Sequence, residues 1–174
     1  HYMPIGLDSN VPKKPFSIAL ALSDKLDTLV GFFGIDHKPT SSKDPYALRR
    51  YAIALVRLII ENKIKIKLRS IINYSLTLYK EQGFEFDIKK IQIDLGDFIL
   101  DRIKNYLKEK QIRNDIVESA SSSFTIDDLL KIYKKSHVLN KSINKKFGQD
   151  AVAIYKRSSN ILLSEQKNLE KYNG

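Results

Sequence analysis

The stretch PFSIALALSDKLDTLVGFFG, residues 15–34, decides the fold class of this chain. Wound as a helix, it is apolar on nearly every side. Pro15 suits a first helical turn and Gly34 suits a C-cap. Since a helix that is apolar all round is a buried one, we predict a long core helix that ends at Phe33. The preceding residues, 1–14, are rich in turn-forming types and predict an ordered loop.

A second helical pattern follows the stretch KDPYALRR, residues 43–50. Asp44 is suited to an N-cap and Pro45 to the first helical position, and the pattern runs to about Asn62. One broad face of this helix is apolar. The opposite face carries the charged residues Arg49, Arg50, Arg57 and Glu61. We therefore expect a helix that packs on one side and presents cations on the other.

The remaining pattern is helical as well. Further helices are predicted at residues 68–82, 94–110, 114–121, from Thr125 onward, and at 149–164. Gly83 suits a left-handed C-cap, and Thr125 with Asp128 approximates a capping box. Residues 84–92 are interpreted as a connector. The prediction is an all-α bundle of about seven helices in two packed subregions, 1–83 and 93–174.

Composition favours a folded protein that meets polyanions. The hydrophobic content is 43%, with only 7 Gly and 5 Pro, which argues against disorder. Thirty Lys and Arg against twenty acidic residues give a net charge of +10. Such a charge attracts phosphate backbones, although a compositional bias towards Lys would also produce it. The longest apolar run, residues 18–22, is far too short to span a bilayer, so no membrane association is expected.

Catalytic constellations are missing from the sequence. The chain has no Cys, which removes disulfides, thiolate ligands and a Cys nucleophile. It also lacks a Gly-rich phosphate loop, a credible Ser-His-Asp arrangement and a cluster of metal ligands. We therefore expect neither a catalytic residue nor a bound metal in this chain.

Two motifs, SDKLDTLVGFFG at residues 23–34 and KDPYALRR at 43–50, resemble the β subunit of the bacterial two-subunit glycyl-tRNA synthetase. Further matches follow in the family's order at residues 1–4, 38–40, 98–102 and 156–162. The family's β subunit is several times longer than this chain. The resemblance therefore implies an internal piece: the later half of the HD-like helical domain and the helices that lead to the anticodon-binding domain.

The resemblance also implies a function. The family's enzyme is a cytoplasmic ligase that joins glycine to its tRNA with ATP and magnesium, and its catalytic site belongs to the α subunit. This chain would then have the α subunit and the tRNA for glycine as partners, with no DNA and no cofactor of its own. Its expected role is to hold tRNA through basic helix faces and to connect the region facing the α subunit with the anticodon-binding end.

Clustered cations are the candidate tRNA contacts, because an Arg fork matches phosphate oxygens. The candidate cations are Lys43, Arg49, Arg50, Arg57, Lys156 and Arg157. The polar Asn160 joins the last two in a patch that suits phosphate and 2′-hydroxyl contacts. For Arg49, pairing with Asp24 or Asp27 is an equally weighted alternative. Arg102 lies inside the apolar arc of its predicted helix, which favours a partly buried ion pair.

Asp24 and Asp27 share one face of the first predicted helix, and buried carboxylates need partners. We expect a neighbour such as Lys25, an Arg from the next helix, or backbone donors.

Two other hypotheses remain open. Asp24 lies where active HD-superfamily phosphohydrolases carry a metal-binding Asp, which would make this chain a metal-dependent enzyme. Against it, His1, His37 and His137 are the only histidines, and the Asp36-His37 pair is reversed and downstream. The other hypothesis is a purely structural helical spacer whose charge is compositional.

Overall fold

The computed structural model describes residues 3–4, 7, 9–40, 42–122, 124–143, 145, 148, 150 and 157. The α-helices within these residues are α1 (Pro15–Gly34), α2 (Leu48–Glu61), α3 (Leu68–Glu81), α4 (Ile88–Glu109), α5 (Asn114–Ser121) and α6 (Leu129–Ile143), and a 3-10 helix at Ile126–Asp128 precedes α6. The predicted all-α class is confirmed. The chain divides into two units, His1–Ser136 and His137–Gly174, and the packing described below belongs to the first.

Helix α2 is at the heart of the first unit. It packs against α1 and α4, and α4 also contacts α1, α3 and α5. Ten of the 14 residues of α2 are buried. Of the predicted charged face, Arg57 is buried, Arg49 and Glu61 are partly buried, and Arg50 is exposed. Helix α1 is less buried than predicted, because Phe16 and Leu20 are 79% and 44% exposed. The apolar content of each helix was visible in the sequence, but neighbouring helices decide which faces are covered.

The start of α2 differs from prediction. The helix begins at Leu48 instead of Pro45, because Ala47 has a left-handed backbone with φ of 56° that interrupts the helical path. Asp44 nevertheless caps the helix from across this turn. Its carboxylate accepts hydrogen bonds from the backbone N–H groups of Leu48 and Arg49 at 2.8 and 3.0 Å.

Helix α4 begins at Ile88, well before the predicted start at residue 94. The cap is Asp87, whose side chain accepts a hydrogen bond from the N–H of Lys90 at 3.0 Å. Asp87 lies within the stretch FEFDI, residues 84–88, whose apolar and charged residues alternate as in a strand and so obscured this N-cap in the sequence. The predicted boundary between subregions at 84–92 stays a prediction, and the described helices on its two sides pack against one another.

Three local predictions are confirmed. Gly83 follows α3 with φ of 90°. Helix α5 has the predicted bounds. Both hydrogen bonds of the Thr125–Asp128 capping box are present. The helix predicted at 149–164 lies almost entirely outside the described residues.

Candidate nucleic-acid interface

A positively charged groove of about 590 Å³ runs along α2 and α4. We call it the basic groove, and it is lined by Leu7, Arg49, Arg50, Ile53, Arg102, Asn105, Tyr106, Lys108 and Glu109. Four cations thus face one acidic residue. Burial raises the pKa of Tyr106 to about 12. Like any tyrosine near neutral pH, it adds no negative charge to the lining.

The first turn of α2 positions two of these cations. The Arg49 guanidinium donates a hydrogen bond to the Thr40 carbonyl and lies 3.9 Å from an Asp44 carboxylate oxygen. It therefore pairs with the loop before its own helix, and neither Asp24 nor Asp27 is its partner. Arg50 is exposed and forms no ion pair within the described part of the chain. Its guanidinium is available to an incoming anion.

Arg102 of α4 is brought to the same groove. Its guanidinium lies 5.2 Å from the centroid of the Phe98 ring, and its Nε is buried without a hydrogen-bond partner among the described residues. When the Asn105 amide is oriented with its oxygen towards Arg102, this oxygen accepts hydrogen bonds from the guanidinium nitrogens Nη1 and Nη2 at 3.3 and 3.2 Å. The carboxylate expected from the sequence is not there, since no carboxylate oxygen of the described residues lies within 4.0 Å of the Arg102 guanidinium nitrogens.

The electrostatics around Arg102 favour an added anion. Its pKa is lowered mainly because burial penalises the charged form. The nearby charge of Arg49 acts in the same direction, while the charges of Asp101 and Asp44 oppose it. Sequence reasoning assigned Arg102 a structural ion pair and missed its place beside Arg49. The position in an apolar arc indicated burial, but no local signal indicated which helix would cover it.

Arg57 is not part of the exposed basic surface. It is buried, and its Nε donates to the Glu61 carboxylate at 2.7 Å, one helical turn away. The predicted exposure of Arg57 is therefore wrong, whereas its contact with RNA stays a prediction that this burial disfavours. The reason is tertiary packing: Arg57 is among the buried residues of α2, a helix that packs against both α1 and α4.

The other predicted contacts are placed differently. Lys43 is exposed but does not line the groove. Arg157 is helical and exposed, and it belongs to the second unit. Lys156 and Asn160 lie outside the described residues. Their roles in tRNA contact stay predictions.

The two carboxylates of α1 have unlike environments. The Asp24 carboxylate accepts a hydrogen bond from Lys25 Nζ at 2.7 Å, and Lys25 is only 4% exposed. Asp27 is exposed, and its backbone carbonyl accepts from the Tyr79 hydroxyl at 3.3 Å. Within the described ranges, no three His, Asp or Glu side chains are grouped as a metal site would require.

These features define an all-α domain with a positively charged groove between its helices. None of the described helices is long and apolar enough to cross a membrane. Comparison with known proteins then narrows this class. Residues 1–122 match the sequence model of the glycyl-tRNA synthetase beta subunit family. The chain belongs to that family.

Curated relatives agree with this assignment. The chain is 38% identical over 167 residues to the glycine–tRNA ligase beta subunit of Rhodospirillum centenum, covering 96% of this chain and 23% of the relative. It is 36% identical over 173 residues to that of a Ruegeria species, with 99% and 24% covered. The corresponding protein of Dinoroseobacter shibae is 34% identical over 191 residues, with 96% and 26% covered. The chain thus spans about a quarter of the length of these relatives.

Proposed function

We propose that this chain is a tRNA-holding part of the β subunit of a glycine–tRNA ligase, and that the basic groove binds the phosphate backbone of the tRNA for glycine. Its partners would be that tRNA and the ligase α subunit, in the cytoplasm. ATP and magnesium would be used in the α subunit. The observation that carries the proposal is the pair Arg50 and Arg102, two arginines in one groove without a carboxylate partner in the described chain.

Phosphate is the anion that suits this arrangement. Arginine presents a rigid planar fork that binds two oxygens at once, and charged hydrogen bonds of this kind are about twice as strong as neutral ones. A row of cations along a groove follows a regularly spaced backbone better than it follows a single carboxylate. The exposed Asn105 adds a polar group that suits ribose hydroxyls.

The contribution to aminoacylation would be positional. Holding the tRNA converts an encounter between two molecules into a reaction within one complex, which accelerates a reaction without any bond chemistry by the holding residues. Connecting the end that faces the α subunit with the anticodon-binding end would place both regions of the tRNA at once. The proposal also includes the assignment of residues 1–83 to the family's HD-like helical domain.

The phosphohydrolase alternative has less support. The Asp24 carboxylate, which would have to bind the metal, is instead hydrogen-bonded to the buried Lys25. The hypothesis of a purely structural spacer also has less support. Placing the positive charge of Arg49 near the half-buried Arg102 costs free energy, and a bound anion would offset this cost.

Binding of the 174-residue chain to the tRNA for glycine, measured by fluorescence anisotropy between 50 and 200 mM salt, tests the proposal. Arg50→Gln and Arg102→Gln should each reduce the slope of log affinity against log salt by about 1. Arg69→Gln is the matched control, since Arg69 is also exposed and lines a different cavity. Thermal unfolding monitored by circular dichroism verifies that each variant is folded. Equal slopes for all three variants, or no tRNA binding by the parent chain, would refute the proposal.

A further inference from the structure

A second cavity adjoins the basic groove. We call it the Tyr46 pocket; it holds about 370 Å³ and is lined by Pro4, Lys25, Pro45, Tyr46, Ala47, Arg50 and Tyr51. Arg50 lines both the groove and the pocket. A strand whose phosphate is bound at Arg50 therefore passes the mouth of the pocket, and a group attached to that strand can enter it.

The aromatic walls of the pocket are held in place. The Tyr46 ring centroid lies 4.3 Å from that of Phe32 and 5.7 Å from that of His37, with the His37 ring nearly parallel. Tyr46 remains 43% exposed, so part of the ring still faces outward. Because its neighbours already fix the ring, a ligand that packs on it loses little additional side-chain entropy.

A buried charge completes the pocket. Lys25 is 4% exposed, and its Nζ lies 5.0 Å from the centroid of the Tyr51 ring. The Lys25 ammonium is also paired with the Asp24 carboxylate at 2.7 Å, so Arg50 is the cation of the lining that has no carboxylate partner in the described chain. The other lining residues are aromatic or apolar. Binding sites for small molecules have this character: a mostly apolar cavity of roughly 300–1,000 Å³ with a few placed polar groups.

A nucleotide matches this combination, because it joins a planar base to an anionic phosphate. Proteins bind unpaired nucleotides by placing the base against aromatic side chains and the phosphate near Arg or Lys. A base inside a duplex is stacked and cannot enter. Building on the proposed function, we infer that the Tyr46 pocket takes the base of one unpaired RNA nucleotide whose phosphate is bound by Arg50.

Anisotropy titration of the 174-residue chain with RNA hairpins tests this inference. One hairpin is blunt, a second carries one to four unpaired nucleotides at its 3′ end, and a third carries the same extension with abasic ribose. The ordinary extension should raise affinity about tenfold over the blunt hairpin, and the abasic extension should not, since it keeps the phosphates and removes the base. Tyr46→Leu should abolish this gain. Tyr74→Leu is the matched control, because Tyr74 is a 64% exposed tyrosine outside the pocket.

The outcomes separate the two proposals. A blunt hairpin that binds in a salt-dependent way, together with an extension that adds nothing, leaves the groove in place and overturns the pocket. An abasic extension that binds as well as the ordinary one overturns the pocket too, because phosphates alone then explain the gain. Absence of binding by every hairpin overturns both.

Discussion

The ion pair between Arg57 and Glu61 offers a sharp test of the packing around α2. The two side chains are joined at 2.7 Å, but their exposures differ: 8% for Arg57 and 29% for Glu61. Arg57→Met should preserve most of the packing of the side-chain stem while removing a buried charge. Glu61→Ala instead keeps the buried guanidinium and removes the carboxylate to which its Nε donates.

The unequal exposures determine the expected magnitudes. Removing one partner of a buried, hydrogen-bonded charge pair costs several kcal/mol, and the partial exposure of Glu61 places Glu61→Ala near the low end, at about 2 kcal/mol. Arg57→Met leaves a carboxylate that can turn to water, so its cost should stay below ~1 kcal/mol. The double variant should resemble Arg57→Met alone, because no buried charge then remains. The coupling is therefore about 2 kcal/mol, equal to the whole cost of Glu61→Ala and above the value for exposed pairs.

Urea unfolding followed by circular dichroism measures this double-mutant cycle. For a chain of this size, Glu61→Ala should lower the melting temperature by roughly 4–8 °C. An additive cycle, or a larger loss for Arg57→Met than for Glu61→Ala, contradicts the burial assigned to Arg57. Arg57→Met should also leave the salt dependence of tRNA binding unchanged, whereas an exposed phosphate contact would lower it.

Two further predictions concern stability. Gly34→Ala should destabilise the fold by about 1–2 kcal/mol in urea unfolding, because the added Cβ lies 2.5 Å from ring atoms of Phe86. The matched Gly31→Ala should cost less, since its Cβ meets the outer end of the Tyr79 side chain, with the hydroxyl oxygen at 2.7 Å, and Ala favours the helix over Gly. A hydrogen bond from the lysine three residues later holds the pKa of Asp128 below its ordinary value. The stabilisation that this carboxylate contributes is fully present above the unfolded pKa near 4, and it is lost as the pH falls through the lower pKa of the folded state. Asp128→Asn should flatten the fall of melting temperature between about pH 5 and 3, and an unchanged slope would contradict this role.

Local sequence signals predicted several elements correctly. The turn at Gly83, the bounds of α5 and the Thr125–Asp128 capping box all depend on groups within a few residues of one another, which the sequence lays side by side. The start of α4 escaped prediction although Asp87 was visible, because the alternation of FEFDI competed with the helical period.

The candidate site was only half visible in the sequence. Arg49 and Arg50 stand out on their own helix, and their cationic character needed no structure. Arg57 looked equivalent to them from the helical period, yet packing buried it. Arg102 looked structural, yet packing placed it in the same groove as Arg50. The sequence shows which face of each helix is apolar and which is charged, but it does not show which other helix covers a given face.

Composition and periodicity alone predicted that this chain is helical and positively charged, and the motifs at residues 23–34 and 43–50 indicated its family by resemblance. Helix hydrogen bonds, caps and motifs connect residues close together in the chain, which is why the sequence carries these signals. Only the tertiary structure decided that α2 is enclosed and that α4 supplies an arginine to the groove beside it. The physical reason is that burial and charge clustering depend on contacts between segments far apart in the chain, whose free energies no local pattern specifies.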